Sequence, residues 1–526
     1  MIFLIDKTGT SYNISRPEEF LSYKAIDRRL KQHISITEDD LPISEVYLNN
    51  LTDQNISLFF TSKWFNAVLA EFDDSKLADI ENMSFVKKVI YAAPGKKLSD
   101  INQANTGNRQ AISSAYVSYE NQFSDSLSPA TDYQNEMMSV DVMHQKGFKG
   151  ENMLVGIFDS GFNYVNTSPF FEHLFIEDKF AGGRDFVQNS GNVFQYDTHG
   201  TKALSCISAY KDSEYEGTAY NANVILCVTE DVSSEYRIEE FNWLFAAEFA
   251  DSIGVDIINS SVGYSYFDDE TMDYTYEDLD GKTAVITKAA TKAASKGMII
   301  VSSLGNEGNN FWKYLNAPSD ADSILSIGAV TPDLERAKFS SFGPTSDGRI
   351  KPDLSTLGVS VRVIRNETVI GSSGTSFSSP LVAGLTAGFW QAFPQLSNME
   401  VMEYLKITAS NASLPDTLIG YGVPDFLRAY NKVRINEGDI DSKYVIFPNP
   451  TLGKKEIYIY SDTFSEEGMS NIKFYDLKGS LLSSSQIELH ENSMPVEIDI
   501  SFLVPGTYIL TFESGDVLEK TKLVVL

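Results

Sequence analysis

Cysteine is nearly absent from this sequence, and long apolar runs are missing altogether. Only two cysteines occur in 526 residues, Cys206 and Cys227, which excludes a disulfide framework, and their spacing fits no metal site. The pair itself leaves two readings open, one disulfide or two buried thiols. No stretch approaches the ~20 consecutive apolar residues that a bilayer-spanning helix needs, so no transmembrane segment is expected. Cations are scarce as well: 42 Lys and Arg stand against 72 Asp and Glu, a net charge of −30. Such a surface repels phosphate, which excludes nucleic acid as a partner, and it is compatible with basic substrates or with solubility alone. Histidine is rare too, with five in the chain, so an imidazole-dependent site has few places to be.

One histidine stands in distinctive company. Thr198-His199-Gly200-Thr201 lies between Ile157-Phe158-Asp159-Ser160-Gly161 and Gly374-Thr375-Ser376-Phe377-Ser378-Ser379-Pro380. Asp159, His199 and Ser376 supply a carboxylate, an imidazole and a hydroxyl. A serine hydroxyl is a weak nucleophile until an imidazole takes its proton, and the imidazole needs a carboxylate to fix its tautomer. Asp-Ser-Gly alone is usually a turn; the serine phrase is more specific, with a glycine before a serine at a helix start and a proline expected in the first turn. His33, His144, His173 and His490 have no such neighbours and read as surface or packing residues.

The surroundings of these phrases alternate strand and helix. Short apolar runs at Met153–Phe158, Val224–Val228, Val255–Asn259, Met298–Val301 and Ile324–Val330 predict strands buried on both faces. Helical spacing over Thr201–Tyr210, Glu239–Ser252, Thr283–Ser295 and Phe377–Phe393 predicts helices between and after them, as a parallel α/β sheet requires. Asp159 falls at the end of one strand, where ligands of open α/β sheets collect.

The three phrases, in the chain order Asp, His, Ser, resemble the signature blocks of the subtilisin-like serine peptidases (subtilases). Ser303-Leu304-Gly305-Asn306-Glu307-Gly308 resembles that family's fourth block, which makes Asn306 the expected side-chain donor of an oxyanion hole, with the Ser376 N–H as the second donor. The resemblance further implies a substrate-binding strand at Ser261, Val262 and Gly263, with Ser303, Leu304 and Gly305 as the opposite wall of the pocket for the side chain preceding the scissile bond. No cofactor is implied. Some relatives hold calcium, and Asp268, Asp269, Asp273, Asp278 and Asp280 in the excursion Tyr264–Asp280 offer oxygen ligands; the alternative is a solvated acidic loop, and no metal site is assigned.

The flanks have their own patterns. Strand Met1–Ile5, helix Pro17–Lys31, strands Ile56–Thr61 and Phe65–Phe72, helix Asp74–Asn82 and strand Val86–Ala92 follow the split βαβ order of a ferredoxin-like module. Residues 15–45 resemble propeptides of this family from Bacteroidetes-type bacteria, which implies an intramolecular inhibitor over 1–93 and an exposed linker with the maturation site over 94–135. The peptidase domain is expected over 136–434, and a linker over 435–443. Six strand patterns follow, at Lys455–Tyr460, Ile472–Asp476, Ser480–Leu489, Val496–Ile500, Thr507–Glu513 and Lys520–Leu526, predicting a β-sandwich over 444–526. Phe447-Pro448-Asn449-Pro450, Tyr475-Asp476-Leu477-Lys478-Gly479 and Pro505-Gly506-Thr507-Tyr508 resemble the C-terminal sorting domain of the type IX secretion system. That resemblance implies the secretion machinery as a partner and a secreted or cell-surface location. Such cargo also carries a signal peptide, and Met1–Ile5 is too short an apolar stretch to be one.

The expected fold is therefore a subtilisin-like α/β core between a ferredoxin-like α+β propeptide and a β-sandwich. The expected function is endopeptidase action on polypeptides. A catalytically inactive binding or adhesion protein is the alternative, and a transpeptidase would use the same residues.

Overall fold

The computed structural model describes residues 1–95, 129–436, 445–447, 451, 455–460, 468–489, 496–514 and 517–525. Most of the expected 94–135 and 435–443 linkers, and Pro448-Asn449-Pro450, lie outside the described residues. Among the described residues no helix is long and apolar enough to cross a membrane.

The N-terminal segment runs β1 (Ile2–Leu4), α1 (Tyr23–Lys31), α2 (Glu45–Asp53), β2 (Ser57–Ser62), β3 (Ala67–Glu71), α3 (Leu77–Glu81) and β4 (Val86–Val89). Its strands form an antiparallel sheet in the order β2-β3-β1-β4, the ferredoxin-like order. The helices depart from expectation. Pro17–Lys31 is two pieces, a 3₁₀ turn at Pro17–Glu19 and then α1, which Ser22 starts by accepting the Ala25 N–H. The helix that covers the sheet is instead α2, through Tyr47, Leu48 and Leu51. Its Asn and Thr content gives it low helix propensity, and only packing on the sheet stabilises it.

Helix α1 turns outward. Tyr23 and Leu30 are exposed while Arg28 and Arg29 are buried, the reverse of an ordinary amphipathic helix. The reason lies at Asp251. Arg28 and Arg29 reach its carboxylate at 2.6 and 2.9 Å, and Lys63, following β2, at 3.1 Å. Arg29 also meets Asp40 at 3.1 Å, which Lys296 meets at 2.8 Å. Burial pushes the Asp251 carboxyl up, but Lys63, Arg29 and Arg28 outweigh it and hold the group well below the usual carboxylate range. One turn earlier, the Glu248 carboxylate accepts the Ser62 hydroxyl and the N–H groups of Lys63 and Trp64.

Asp251 and Glu248 belong to the central body. After α4 (Asp132–Glu136) and α5 (Val140–Gln145) come β5 (Leu154–Asp159), α6 (Glu172–Ile176), β6 (Phe180–Asp185), α7 (His199–Ser208), the short pair β7 (Tyr210–Lys211) and β8 (Tyr215–Glu216), and β9 (Asn223–Val228). Then follow α8 (Ile238–Ile253), β10 (Ile257–Ser260), α9 (Val285–Ser295), β11 (Ile299–Ser303), β12 (Leu325–Val330) and β13 (Leu354–Leu357). The hairpin β14 (Val361–Arg365) and β15 (Thr368–Ser372) leads to α10 (Thr375–Ala392), α11 (Asn398–Ile407) and α12 (Phe426–Asn436). Seven parallel strands pair in the order β13-β12-β11-β10-β5-β9-β6.

Alternate residues of these strands serve two cores. Val155, Ile157, Ile257 and Val301 face one core, with α7 and α10, while Phe158, Ile258 and Ile300 face the other, with α8 and α9. Met1, Trp64, Ala67, Leu69 and Ala92 of the N-terminal segment join the second core. Helix α10 is buried all round, and a β-carbon at Gly384 would stand 1.8 Å from Thr218 Oγ1, so only glycine allows that approach. Cys206 and Cys227 are both free buried thiols on opposite faces of the sheet, which settles the choice left open above, and burial pushes both well above the ordinary thiol range.

The C-terminal strands are β16 (Val445–Phe447), β17 (Glu456–Tyr460), β18 (Gly468–Tyr475), β19 (Leu481–Leu489), β20 (Val496–Asp499), β21 (Gly506–Ser514) and β22 (Val517–Val525). They form two sheets, β16-β17-β20 and β19-β18-β21-β22, over one core that includes Ile457, Ile472, Phe474, Leu510 and Phe512. Each of the six expected strands is present, and β16 is an addition.

Removing one partner of a buried charge cluster strands the rest. Asp251→Asn, in a Ser376→Ala background, is expected to lower the unfolding free energy by about 3–5 kcal/mol, read by urea denaturation at pH 7. The sign with pH follows from the depressed native value: the Asp251 contribution is full above the unfolded-state carboxylate value of ~3.9 and is lost on acidification below it.

Candidate active site

Strand register places the site. Ser260 of β10 pairs with Phe158 of β5 and with Ser302 of β11, so Asp159, Ser261 and Ser303 reach the same carboxyl edge. Asp159 is the fully buried last residue of β5. Its Oδ1 accepts the Ser160 N–H at 2.8 Å and stands 2.7 Å from His199 Nδ1. Because a carboxylate only accepts, Nδ1 carries the proton and Nε2 keeps a lone pair. His199 is the first residue of α7 and its side chain is 28% exposed. Burial pulls the imidazole down, and the charge and hydrogen bond of Asp159 outweigh it, so the group is raised above its ordinary value.

Glycines let the Asp and His phrases touch. A β-carbon at Gly200 would stand 2.5 Å from Gly161 O, and one at Gly161, where φ is +153°, 2.3 Å from Gln195 O. Neither position accepts a side chain without moving backbone.

Ser376 is the second residue of α10 and 9% exposed. The following ring, Phe377, lies 5.7 Å from the His199 ring, centroid to centroid. First-turn N–H groups have no acceptor within their helix. That of Thr375 donates to Asn306 Oδ1 at 2.9 Å, and that of Phe377 to Gly374 O at 3.1 Å. The Thr375 hydroxyl adds a second bond to Asn306 Oδ1 at 3.1 Å. Two donors on one end of the amide identify that end as oxygen, which leaves Nδ2 as the free donor beside the Ser376 turn.

Pro380 is not in the first turn, as expected, but is the sixth residue of α10. Its missing N–H and its ring deprive the Ser376 carbonyl of a helical partner. Ser261 Oγ supplies the bond instead, at 3.0 Å. Asn259 Nδ2 donates to Ser261 Oγ at 3.0 Å, and Ser379 Oγ to Asn259 Oδ1 at 2.9 Å. The Ser261 side chain is thus turned inward to hold the Ser376 turn. Thr375 and Asn259 are the residues that motif reading missed. Thr375 sits inside the serine phrase and Asn259 at the end of the predicted strand Val255–Asn259, so the signal of each was its position.

Val262 is half-buried and Gly263 exposed, and across from them Ser303 and Leu304 are buried and Gly305 half-buried, with φ +116°. These residues continue the chain beyond the carboxyl ends of the paired strands β10 and β11, the two segments expected to wall the pocket.

Among the described residues, the aspartates of the 264–280 excursion form no carboxylate cluster close enough to share a metal ion. Asp269 accepts the Thr271 N–H, Asp273 the Phe267 N–H, Asp278 the Thr275 N–H, and Asp280 the N–H groups of Lys282 and Thr283. Each closes its own turn. Carboxylates that do approach one another are those of Glu230, Glu235 and Glu239, within 4.8 Å. Burial pushes Glu230 up to about 7 and Glu239 well above the ordinary carboxylate value, and the Tyr264 hydroxyl lies 2.6 Å from both Glu230 oxygens. A shared proton relieves the repulsion within that group.

Comparison with known proteins divides the chain in three. Residues 150–422 match the subtilase family, residues 1–110 the peptidase S8 propeptide domain of Bacteroidota, and residues 445–526 a secretion system C-terminal sorting domain. Subtilisin DY of Bacillus licheniformis is 28% identical over 277 residues, 52% of this chain and 90% of that protein. The human membrane-bound transcription factor site-1 protease is 28% identical over 311 residues, 56% of this chain and 26% of that one. Among solved structures, MycP1 of Mycobacterium smegmatis covers 59% of this chain and 86% of its own at 19% identity, with a TM-score of 0.45. The prenylagaramide maturation protease PagA covers 56% and 97% at 19% identity, with a TM-score of 0.44.

The Asp159 bond has a direct readout. In a Ser376→Ala chain the His199 imidazole is expected to titrate by NMR at a midpoint above the ordinary ~6.5, and Asp159→Asn is expected to lower that midpoint.

Proposed function

The chain belongs to the subtilase family, and on that premise we propose that it is a serine endopeptidase made as a zymogen. The single observation that carries the reading is the 2.7 Å bond from His199 Nδ1 to a fully buried Asp159, at the strand edge that also receives the Ser376 turn. His199 Nε2 takes the Ser376 hydroxyl proton as Oγ attacks the peptide carbonyl. The oxyanion that forms is met by Asn306 Nδ2, whose other end Thr375 fixes, and by the Ser376 N–H. His199 then gives its proton to the leaving amine, and water, deprotonated by the same imidazole, releases the acyl-enzyme. Asp159 holds the imidazole tautomer and its positive charge throughout.

The N-terminal segment acts as an intramolecular inhibitor, supported by the propeptide match and by its docking on α8 through Asp251 and Glu248. The C-terminal sandwich is the address for the type IX machinery, supported by the sorting-domain match, and it places the enzyme outside the cell or on its surface.

Intact mass over time, with a serine-directed fluorophosphonate, tests this. The parent chain is expected to lose an N-terminal fragment and take up a single adduct, and Ser376→Ala to do neither. Asn306→Leu should still label but lose roughly 10²–10³ in kcat, the loss known for removal of the oxyanion-hole asparagine of a subtilisin. A Ser376→Ala chain that matures and labels like the parent would overturn the assignment.

A further inference from the structure

The space between the two walls is already filled. Asn316 lies between the segment that follows β10 and the one that follows β11, and its backbone ties into both. Its N–H donates to Leu304 O at 3.1 Å, while the next residue, Ala317, exchanges N–H···O bonds with Tyr264 at 2.9 and 3.1 Å. The side chain points between the two wall glycines. A β-carbon at Gly263 would stand 3.1 Å from Asn316 Cβ and 3.9 Å from Asn316 Nδ2, and one at Gly305 would stand 3.1 Å from the same Nδ2. An aromatic ring laid between two backbone walls needs about 3.5–4 Å of clearance on each side. At the level of these glycines the asparagine amide occupies that clearance.

Nor can the amide swing aside without cost. Its Oδ1 accepts the Trp312 indole N–H at 3.1 Å, and its Nδ2 donates to Glu307 Oε2 at 3.1 Å. Glu307 is held in turn by the Ser341 hydroxyl at 2.9 Å. Behind, Trp312 packs edge-on to Tyr266 at 5.3 Å and to Tyr314 at 6.2 Å. Asn316 is 7% exposed and Gly263 exposed, so the amide is the floor of the slot and not its rim. Any side chain that displaced it would leave a buried carboxylate, an indole N–H and an amide short of partners.

We propose that Asn316 is a specificity-determining residue that sets the depth of the pocket for the side chain preceding the scissile bond. It confines cleavage to peptides with a short residue there, such as glycine, alanine or serine. Bulky aromatic, branched and long cationic side chains are excluded by the floor, even though the protein as a whole is acidic. The inference rests on the peptidase reading given above, since it names the substrate class of that same site.

The test uses the full chain after self-processing, or after nicking by an added protease, with Ser376→Ala treated alike and subtracted. Four peptide p-nitroanilides that differ only in the final residue, Ala, Leu, Phe or Lys, are compared by kcat/KM, with active sites titrated by fluorophosphonate. Alanine is expected to exceed phenylalanine by roughly 10–200-fold, the range that pocket size commands. Asn316→Gly is expected to raise the Phe-to-Ala ratio at least tenfold, with Asn316→Ala as the second variant if glycine destabilises the loop. Parent chain that labels with fluorophosphonate yet prefers Phe, Leu or Lys over Ala would overturn the depth argument and leave the peptidase reading standing. A parent that neither labels nor cleaves any of the four would overturn both.

Discussion

Parallel pairing of β5 with β9 and β10, and of β10 with β11, is the constraint on which everything else rests. In a parallel sheet every strand ends at the same edge, so residues far apart in the chain are delivered side by side without contacting one another in sequence. Asp159, Ser261 and Ser303 arrive there from three strands whose register is fixed by Phe158, Ser260 and Ser302. The strands in turn are fixed by their alternate residues, which feed two separate cores; a slip by one residue would exchange the faces and rotate Asp159 away from His199.

Around that edge the chain solves a local difficulty created by Pro380. A proline in the second turn of α10 frees the carbonyl of Ser376, the nucleophile of the proposed reaction. Buried carbonyls need partners, and the partner comes from the adjacent strand end through Ser261, itself held by Asn259. The position of Ser376 is therefore tied to β10 by hydrogen bonds, while Thr375 ties it to the Asn306 loop. Two independent tethers at neighbouring residues leave the turn little freedom.

Much of this was legible in advance because it is local. The apolar strands, the helices at Thr201–Tyr210 and Glu239–Ser252 and the phrases around Asp159, His199, Asn306 and Ser376 announce themselves through spacing and residue type. What escaped is what depends on partners distant in sequence. Nothing in the Pro17–Lys31 helical pattern marks Arg28 and Arg29 for burial, which follows from Asp251, more than two hundred residues away. Helix α2 has no sequence signal strong enough to compete with its Asn and Thr residues, and it exists because the four-stranded sheet needs a cover. Ser261 read as part of a substrate-binding strand through its backbone, and the bond of its hydroxyl to the Ser376 carbonyl depends on a partner 115 residues away. Asn316 belongs to no phrase at all, and its importance is visible only once Gly263 and Gly305 are seen on either side of it.

The charge cluster at Asp251 also makes dilution a control variable. While residues 1–95 belong to the same chain as α8, Arg28, Arg29 and Lys63 meet Asp251 as intramolecular partners, at an effective concentration that diluting the protein does not change. Severing the connecting segment changes none of these contacts and yet converts them into an encounter between two molecules. Occupancy would then follow the concentration of the separated segment, so the same buried ion pairs would lose their hold on dilution.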